Sequence, residues 1–229
     1  MRGFMSSLAG QNRYYTYEEY LAMEYDGKRY EYMDGDIYAM ASPSATHGDI
    51  SGELFRQLAN FLRGKACKVY QSSLDVKLNI FDKIIGVVPD IMVVCDKSKI
   101  VNDKFYNGAP DFIIEILSFS SPQVTKHDTD TKLKWYRIAG VKEYWIVNHI
   151  LKTVQVYILE NGKYIFNSYN DEDIIPVHTL EGCEINLAEV FHDITVEESI
   201  INQNIIDALK AVGVSDDKIS EAIKNLENN

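Results

Sequence analysis

The chain has 229 residues, of which 46% are hydrophobic and 25% charged, which suits one globular domain with appendages. Its net charge of −11 argues against a protein that coats nucleic acid nonspecifically, because phosphates would repel it, but a local basic groove remains compatible. No apolar run approaches the ~18 residues of a membrane span, and the opening MRGFMSSLAG is too weakly apolar for a secretory signal, so we expect a cytoplasmic protein.

Clear start and turn signals mark the first elements of the chain. Thr16 and Glu19 have the spacing of a capping box and predict a short helix through YEEYLAMEY. Asp34-Gly35 lies between two strand-like runs in RYEYMDGDIYAM and predicts a tight hairpin. From His47 onward, apolar residues recur every four positions and predict an amphipathic helix with one face in the core: Ile50, Leu54, Leu58 and Leu62.

Three strand-like runs, a second helix and further strands follow. The strands are KVYQSSLDVKLNI, GVVPDIMVV and DFIIEIL, and the helix is DTDTKLKWYRIAG with Gly140 as its C-terminal cap. The strand EYWIVNH comes next, and KTVQVYIL and KYIFNSY extend the sheet as a hairpin through Asn161-Gly162. Because the core strands are apolar without polar alternation, both faces of the sheet should be covered. We predict a mixed α/β fold, with a central mixed β-sheet flanked by helices.

Two of these apolar strands each carry one acidic residue, Asp90 and Glu115. A buried carboxylate must neutralise, pair with a cation or ligate a metal, because burying an unpaired charge is costly. If the two strands are neighbours with both acids on one face, the carboxylate oxygens converge and suit Mg²⁺ or Mn²⁺. The alternative is that each acid lies at a partly hydrated strand end or pairs with a lysine or arginine. Pro89 removes a backbone donor before Asp90, which fits a local irregularity of the strand.

The second helix carries a polar stripe on one face. Asp128, Lys132 and Tyr136 are spaced i, i+4, i+8 and therefore project together. If the helix packs over the strand of Glu115, Lys132 could reach the same site and offer an ammonium group to a phosphate. The alternative is an ordinary surface pair of Asp128 with Lys132, worth ~0.2–0.5 kcal/mol.

Several motifs in one order resemble those of a known family. They are YEYMDGDIYAMASPSATHGDISGEL, PDIMVV, GAPDFIIEILSFSSP and a D-x-x-x-K-x-x-x-Y helix that ends in AGVKEYWIV. Over roughly residues 15 to 192, the chain resembles the PD-(D/E)XK nuclease-like family of bacterial restriction-endonuclease-like proteins, formerly a domain of unknown function. The resemblance implies a restriction-endonuclease-like core of order α-β-β-β-α-β, dependence on a divalent metal, and hydrolysis of phosphodiester bonds in DNA.

The resemblance also implies which residues form the site. Asp90 matches the family's first acid and Glu115 its second, and the metal, Mg²⁺ or Mn²⁺, would be held by these two and the carbonyl of Ile116. The chain departs from the simplest pattern of the superfamily two residues after Glu115, where Leu117 stands in place of lysine. The lysine role is then expected of Lys132, which would enter the site from the following helix.

Accessory residues are predicted with an alternative for each. Glu31 matches a family acid and could ligate the metal or orient a water, or it could be a solvent-facing strand residue. His47 could contact a phosphate or carry a proton, or simply be a polar residue of the first helical turn. Asp128 is interpreted as the residue that positions Lys132, whereas Glu53 on the first core helix is expected to face solvent.

A rival hypothesis is that the fold has lost catalysis and acts as a binding or regulatory module. The acidic net charge and the missing strand lysine favour that alternative. A serine hydrolase or nucleotide-binding enzyme has almost no support, because G-x-S-x-G, G-x-x-x-x-G-K-[ST] and G-x-G-x-x-G are all absent from the sequence.

The cysteines predict free thiols in a reducing compartment. There are three, Cys67, Cys95 and Cys183, an odd number at wide spacing. No C-x-x-C pair is present, so a structural zinc site is not expected.

The C-terminal segment is predicted to form two short helices. Thr195 and Glu198 form another capping box, an apolar stripe follows, and Gly213 marks a break. These helices are expected to pack on the core or on a second subunit, which would make a homodimer. The predicted domains are an N-terminal extension over 1–14, a nuclease domain over 15–194 and a C-terminal helical extension over 195–229.

Overall fold

The computed structural model describes residues 14–24, 26–40, 42–118 and 127–195, with only the backbone of residues 127 and 128. The chain divides into two compact units, residues 1–192 and 193–229, and the fold described here is that of the first. The predicted C-terminal helices lie outside the described residues. The predicted domain boundaries therefore stay predictions.

The first helix and hairpin form where the sequence predicts them, but the helix ends at Leu21, four residues before the end of the predicted run YEEYLAMEY. Helix α1 spans Tyr17–Leu21 and begins at the capping box, in which the amide of Glu19 donates to Thr16 Oγ1 over 3.1 Å and the amide of Thr16 donates to Glu19 Oε2 over 2.8 Å. Strands β1 (Tyr30–Met33) and β2 (Asp36–Ala39) form an antiparallel hairpin. Its turn residues Asp34 and Gly35 have φ of 49° and 98°, which favours this dipeptide.

Three further α-helices lie in the described residues of the first unit. Helix α2 (Ala45–Leu62) is capped by Ser44 and carries the predicted apolar positions on its buried face. It packs against strand β3 (Lys68–Gln71), strand β14 (Glu184–Asn186) and helix α4 (Leu187–Val190). A π-helical turn, His127–Lys132, leads into α3 (Leu133–Ala139), which ends at Gly140 with φ of 90°. The last helix is the short α4, Leu187–Val190. The apolar stripe of α2 and the predicted end of α3 at Gly140 are thus confirmed.

The described strands form two six-stranded sheets and a small hairpin. The first sheet has the order β2-β1-β5-β4-β8-β7 and the second has the order β12-β11-β10-β9-β6-β3. Each sheet is mixed, because β4 pairs with β8 in parallel and β9 with β10 in parallel. The remaining bounds are β3 Lys68–Gln71, β4 Asp75–Ile80, β5 Lys83–Val87, β6 Ile91–Val94, β7 Ile100–Val101, β8 Phe105–Asn107, β9 Phe112–Ile116, β10 Glu143–Asn148, β11 Thr153–Glu160, β12 Lys163–Asn170, β13 Ile174–Pro176 and β14 Glu184–Asn186.

The mixed α/β fold with helices on mixed sheets is confirmed, but the prediction of one central sheet is wrong in detail. Two runs that the sequence predicts as single strands are each divided between the two sheets. The first breaks between β3 and β4 at Ser72, whose φ is 42°, and the second breaks between β5 and β6 at Pro89. A left-handed residue and a proline both interrupt strand pairing, so each run crosses from one sheet to the other.

The two sheets share one apolar core. Its members come from β4 and β5 of the first sheet, from β6, β9 and β10 of the second, and from α3: among them Val76, Leu78, Val87, Met92, Ile113, Tyr136 and Ile146. A second cluster, of tyrosines and Ile37, lies between α1 and the β1–β2 hairpin. None of the helices in the described ranges is both long and apolar enough to cross a membrane.

The cysteine prediction is wrong for two of the three residues. Cys67 and Cys95 form a disulfide with a Cα–Cα distance of 4.0 Å. Strands β3 and β6 are antiparallel, with Lys68 opposite Val94. One position further along this register, Cys67 lies opposite Cys95, which brings the two thiols together. Cys183 is free and buried, and burial raises the pKa of its thiol to about 11.

Candidate active site

Asp90 and Glu115 lie on neighbouring chain segments at one end of the second sheet. Strands β6 and β9 are antiparallel neighbours, with Ile91 opposite Ile114 and Met92 opposite Ile113. Continuing this register by one position places Asp90 opposite Glu115. Glu115 is contacted from the α3 side, by Tyr136 and Lys132, whereas Asp90 lies one residue before β6 and is contacted by His47 of α2 and by the amide of Ile116. Both are buried, at 5% and 3% exposure.

Pro89 interrupts the ladder at this end of the sheet, and the carboxylate of Asp90 accepts the backbone N–H of Ile116. The amide of Ile116 donates to Asp90 Oδ2 over 2.9 Å. Position 89 lies opposite Ile116 in the same register, and a proline there cannot donate to the Ile116 carbonyl. The strand end therefore presents a carboxylate and a backbone carbonyl side by side.

His47 of helix α2 contacts the same oxygen of Asp90. Its Nε2 lies 3.0 Å from Asp90 Oδ2, and both side chains are largely buried. Helix α2 positions the imidazole, because its N-cap Ser44 accepts a hydrogen bond from the amide of His47. His47 is thus the third residue of the helix, and its side chain points back over the helix start towards the strand end.

Glu115 lies in a buried group of charges. Tyr136 donates its hydroxyl proton to Glu115 Oε1 over 2.6 Å, and Lys132 Nζ lies 3.2 Å from the same oxygen. Lys132 Nζ is also 3.0 Å from Glu31 Oε1 on β1. The two acids and the lysine are each 2–3% exposed. One ammonium group therefore lies between carboxylates that belong to different sheets.

The local helix geometry explains how Lys132 reaches this position. It is the last residue of the π-helical turn and immediately precedes α3, so it lies one turn before Tyr136 on the same face. Burial and then the charge of Glu115 raise the pKa of the Tyr136 hydroxyl well above its usual value. Tyr136 is therefore a neutral donor that fixes one oxygen of Glu115.

A second histidine lies near the site. His149 follows the end of β10, the parallel neighbour of β9, and so lies at the same end of the sheet as Ile116. Burial lowers the pKa of the His149 imidazole, and His47 lowers it further.

The donor atoms at this end of the sheet fit a hard divalent cation only in part. Two carboxylates and a backbone carbonyl are the oxygen donors that Mg²⁺ and Mn²⁺ prefer, and magnesium usually retains several waters. Within the described ranges, no three or more His, Cys, Asp or Glu side chains are grouped closely enough to hold a metal ion. A metal here would accordingly use Asp90, Glu115, the Ile116 carbonyl and water.

The structure places most of the predicted site residues in two groups of direct contacts. Asp90 contacts His47 and the amide of Ile116, and Glu115 and Glu31 both contact Lys132. The alternative for Glu31, a solvent-facing strand residue, is excluded by its burial. The side chain of Asp128 lies outside what the structure describes, so its positioning role stays a prediction.

Glu53 lies away from this group, as expected. Its oxygens accept hydrogen bonds from Arg56 on the surface of α2, over 2.5 and 2.7 Å. Arg56 also contacts Glu189 at 2.6 Å, so the three side chains form a surface ion-pair cluster.

Sequence reasoning missed three residues that contact or adjoin the acids. Tyr136 was visible as the third member of the helical stripe, but its contact with Glu115 depends on how α3 packs. Ser72 donates its amide and its hydroxyl to the Asp90 carbonyl over 3.0 and 3.2 Å. Neither Ser72 nor His149 has a sequence signal, because both depend on the pairing of distant strands.

Comparisons with known proteins identify the family of the chain. A family model named Uma2 and described as "Putative restriction endonuclease" matches residues 17–188, well over half of the chain. The chain belongs to the Uma2 family. Two relatives from Synechocystis sp. strain PCC 6803 are described as "Uncharacterized protein slr1290" and "Uncharacterized protein sll1609". They are 28% identical over 166 and 145 residues, covering 71% and 62% of this chain and 84% and 79% of their own lengths.

A solved structure shares the fold of this chain. It is described as a "putative nuclease belonging to DUF820" from Anabaena variabilis and has 19% sequence identity with this chain. The match has a TM-score of 0.63 and covers 78% of this chain and 98% of that one. The Uma2 chain therefore has the fold predicted from its motifs, and its family is one of restriction-endonuclease-like proteins.

Proposed function

We propose that this Uma2-family chain is a divalent-metal-dependent endonuclease that hydrolyses phosphodiester bonds in DNA. The observation that carries the proposal is the placement of Asp90 opposite Glu115 at one end of the sheet, with Lys132 on the Glu115 carboxylate. The proposal is supported by a buried lysine beside buried acids in a chain whose family is described as "Putative restriction endonuclease".

The metal ligands in this proposal are Asp90, Glu115 and the carbonyl of Ile116, with Mg²⁺ or Mn²⁺ completing its coordination by water. When bound, such a metal lowers the pKa of a water molecule and neutralises charge on the scissile phosphate. The amide of Ile116 and His47 both hold Asp90 Oδ2, which leaves Oδ1 as the oxygen for this purpose.

The remaining side chains have positioning and charge-stabilising roles in the proposal. Lys132 places a positive charge beside Glu115, where it would stabilise the negative charge that develops on the phosphate in the transition state. Glu31 positions Lys132 through the 3.0 Å ion pair, and Tyr136 positions Glu115 through its hydroxyl. His47 orients Asp90 and is placed to transfer a proton.

The test is a cleavage assay on supercoiled and single-stranded DNA, with and without Mn²⁺. We expect metal-dependent cleavage by the unaltered protein and a loss of at least about 100-fold in Asp90→Asn and in Glu115→Gln, because each removes a charged ligand. Glu53→Gln is the matched control, since it neutralises an acid of the surface cluster on α2 and should cleave at the original rate. Retained cleavage in either Asp90→Asn or Glu115→Gln would refute the assignment.

A second candidate is a binding or regulatory module that has lost catalysis. It is favoured by the ammonium of Lys132, which both Glu31 and Glu115 engage, and by the lack of a three-residue ligand group among the described side chains. This candidate predicts DNA binding without cleavage in any metal. The same assay, run together with a binding measurement, separates the two.

Assembly and location stay predictions. The homodimer is predicted from the C-terminal helices, which lie outside the described residues, and the cytoplasmic location is predicted from the sequence.

A further inference from the structure

A polar cavity lies next to the candidate active site, at the start of α2. It has a volume of about 390 Å³, and its lining includes Lys28, Arg29, His47, Ser51, Gln71 and Ser72. A second cavity, of about 510 Å³, shares Lys28, Arg29 and Ser72 with the first. The two cavities therefore adjoin at these three residues, and together they are called the groove. The second cavity is also lined by Glu24, Asp75 and Lys104.

The floor of this groove is connected directly to Asp90. Ser72 donates its amide and hydroxyl to the Asp90 carbonyl, and His47 contacts the Asp90 carboxylate at 3.0 Å. On the other wall, Arg29 is two residues before Glu31 on the same strand segment. A molecule in the first cavity would accordingly lie beside the acids.

The charge of the first cavity is positive although the protein is strongly acidic. Its described lining contains Lys28 and Arg29 and neither aspartate nor glutamate. The net charge of the whole chain is −11. Arg29 is half-buried, and neither its guanidinium nor the Lys28 ammonium forms an ion pair or hydrogen bond with any residue in the described part of the chain. Arg56, in contrast, is satisfied by two glutamates on the surface.

A half-buried arginine without an ion-pair partner among the described residues is suited to bind an anionic oxygen ligand. Its planar guanidinium can donate two parallel hydrogen bonds to a phosphate, and its partial desolvation strengthens them. The hydroxyl of Ser51, which accepts a hydrogen bond from Gln71 Nε2, and the second N–H of the Gln71 amide line the same cavity and can donate to phosphate oxygens. A carboxylate ligand would use the same arginine, but it would not occupy a groove that continues past it.

We propose that Lys28 and Arg29 bind a backbone phosphate of the DNA strand, next to the phosphate at Asp90 and Glu115. This inference rests on the proposed function and adds the path of the substrate. The strand runs from the acids over Ser72 and into the groove between α2 and the segment before β1. These contacts read no base, so the cavity contributes affinity and placement along the strand rather than sequence preference.

The test measures the affinity for a fluorescently labelled duplex of about 30 base pairs, in EDTA, at salt concentrations from ~50 to ~200 mM. For Lys28→Gln/Arg29→Gln, we expect weaker binding and a slope of log K against log salt that is smaller by about 2, because two phosphate contacts are lost. Lys28→Gln alone changes an exposed side chain, keeps the fold, and should reduce the slope by about 1.

Arg63→Gln/Lys65→Gln is the matched control. It also removes one arginine and one lysine, and it does so at the opposite end of α2, about 27 Å away for a helix of 18 residues. We expect this control to keep the slope of the unaltered protein. Equal slopes in the groove variants and the control would overturn the inference.

The cleavage assay distinguishes this failure from a failure of the proposed function. Equal slopes with cleavage that depends on Glu115 would overturn the phosphate site alone. A protein that neither binds nor cleaves DNA would overturn both. Displacement of the duplex by an equal phosphate concentration of inorganic phosphate would assign the cavity to a free anion and also overturn the inference.

Discussion

At the scale of single residues, the site depends on Lys132, whose ammonium is buried between Glu31 and Glu115. A buried ion pair has a high desolvation cost, so it stabilises a fold only when every member keeps its partners. Here Glu115 also has the hydroxyl of Tyr136, and Glu31 and Glu115 come from different sheets. The same residue that is proposed to stabilise charge during catalysis therefore also joins the two sheets.

Removing this lysine should cost stability as well as activity. Lys132→Met leaves two buried carboxylates without their cation, and we expect the free energy of unfolding to fall by about 3–5 kcal/mol. Urea denaturation followed by circular dichroism measures the change. Lys142→Met is the control, because its ion pair with Asp111 at 2.7 Å has an exposed lysine and should be worth no more than about 1 kcal/mol.

A similar loss in both variants would contradict the buried ion pair. It would show that the Lys132 ammonium group is hydrated by solvent rather than held between the carboxylates of Glu31 and Glu115.

At the scale of elements, the sequence predicted the helix caps and tight turns, because their geometry depends on residues that are close together in the chain. The Thr16 capping box, the turns at Asp34-Gly35 and Asn161-Gly162, and the end of α3 at Gly140 are all set by backbone geometry within a few positions. The division of two predicted strands between two sheets was not predictable from periodicity. A buried strand is apolar on both faces, so its sequence does not show which sheet it joins on either side of a break.

The residues of the candidate site were likewise recognisable from the sequence, whereas their long-range contacts were not. Asp90 and Glu115 were visible because an acid in an apolar strand is unusual, and Lys132 because of its helical spacing. Their contacts with His47 and Glu31 depend on the pairing of strands that are far apart in the sequence, and so does the disulfide. The proposed catalytic and metal-binding roles of these residues stay predictions.

The disulfide between β3 and β6 makes a direct chemical prediction. Because the chain has three cysteines and two are joined, the denatured, unreduced protein should contain one reactive thiol, that of Cys183. Titration with a thiol reagent in denaturant, before and after reduction, counts these groups. Cys183→Ser should have no reactive thiol before reduction, and three thiols in the unreduced original protein would contradict the pairing of Cys67 with Cys95.

At the scale of the whole molecule, an acidic protein is proposed to act on an acidic polymer. The net charge of −11 opposes approach to DNA at long range. A groove with Lys28 and Arg29, together with a cation held by Asp90 and Glu115, would restore attraction at the site alone. The proposed nuclease activity therefore requires that the carboxylates of Asp90 and Glu115 bind a divalent cation.

Calorimetric titration with Mn²⁺ measures this directly. We expect saturable binding heat for the unaltered protein and its loss in Asp90→Asn and Glu115→Gln, with both variants still folded by circular dichroism. Unchanged binding in these variants, or no binding heat in the unaltered protein, would contradict the central claim.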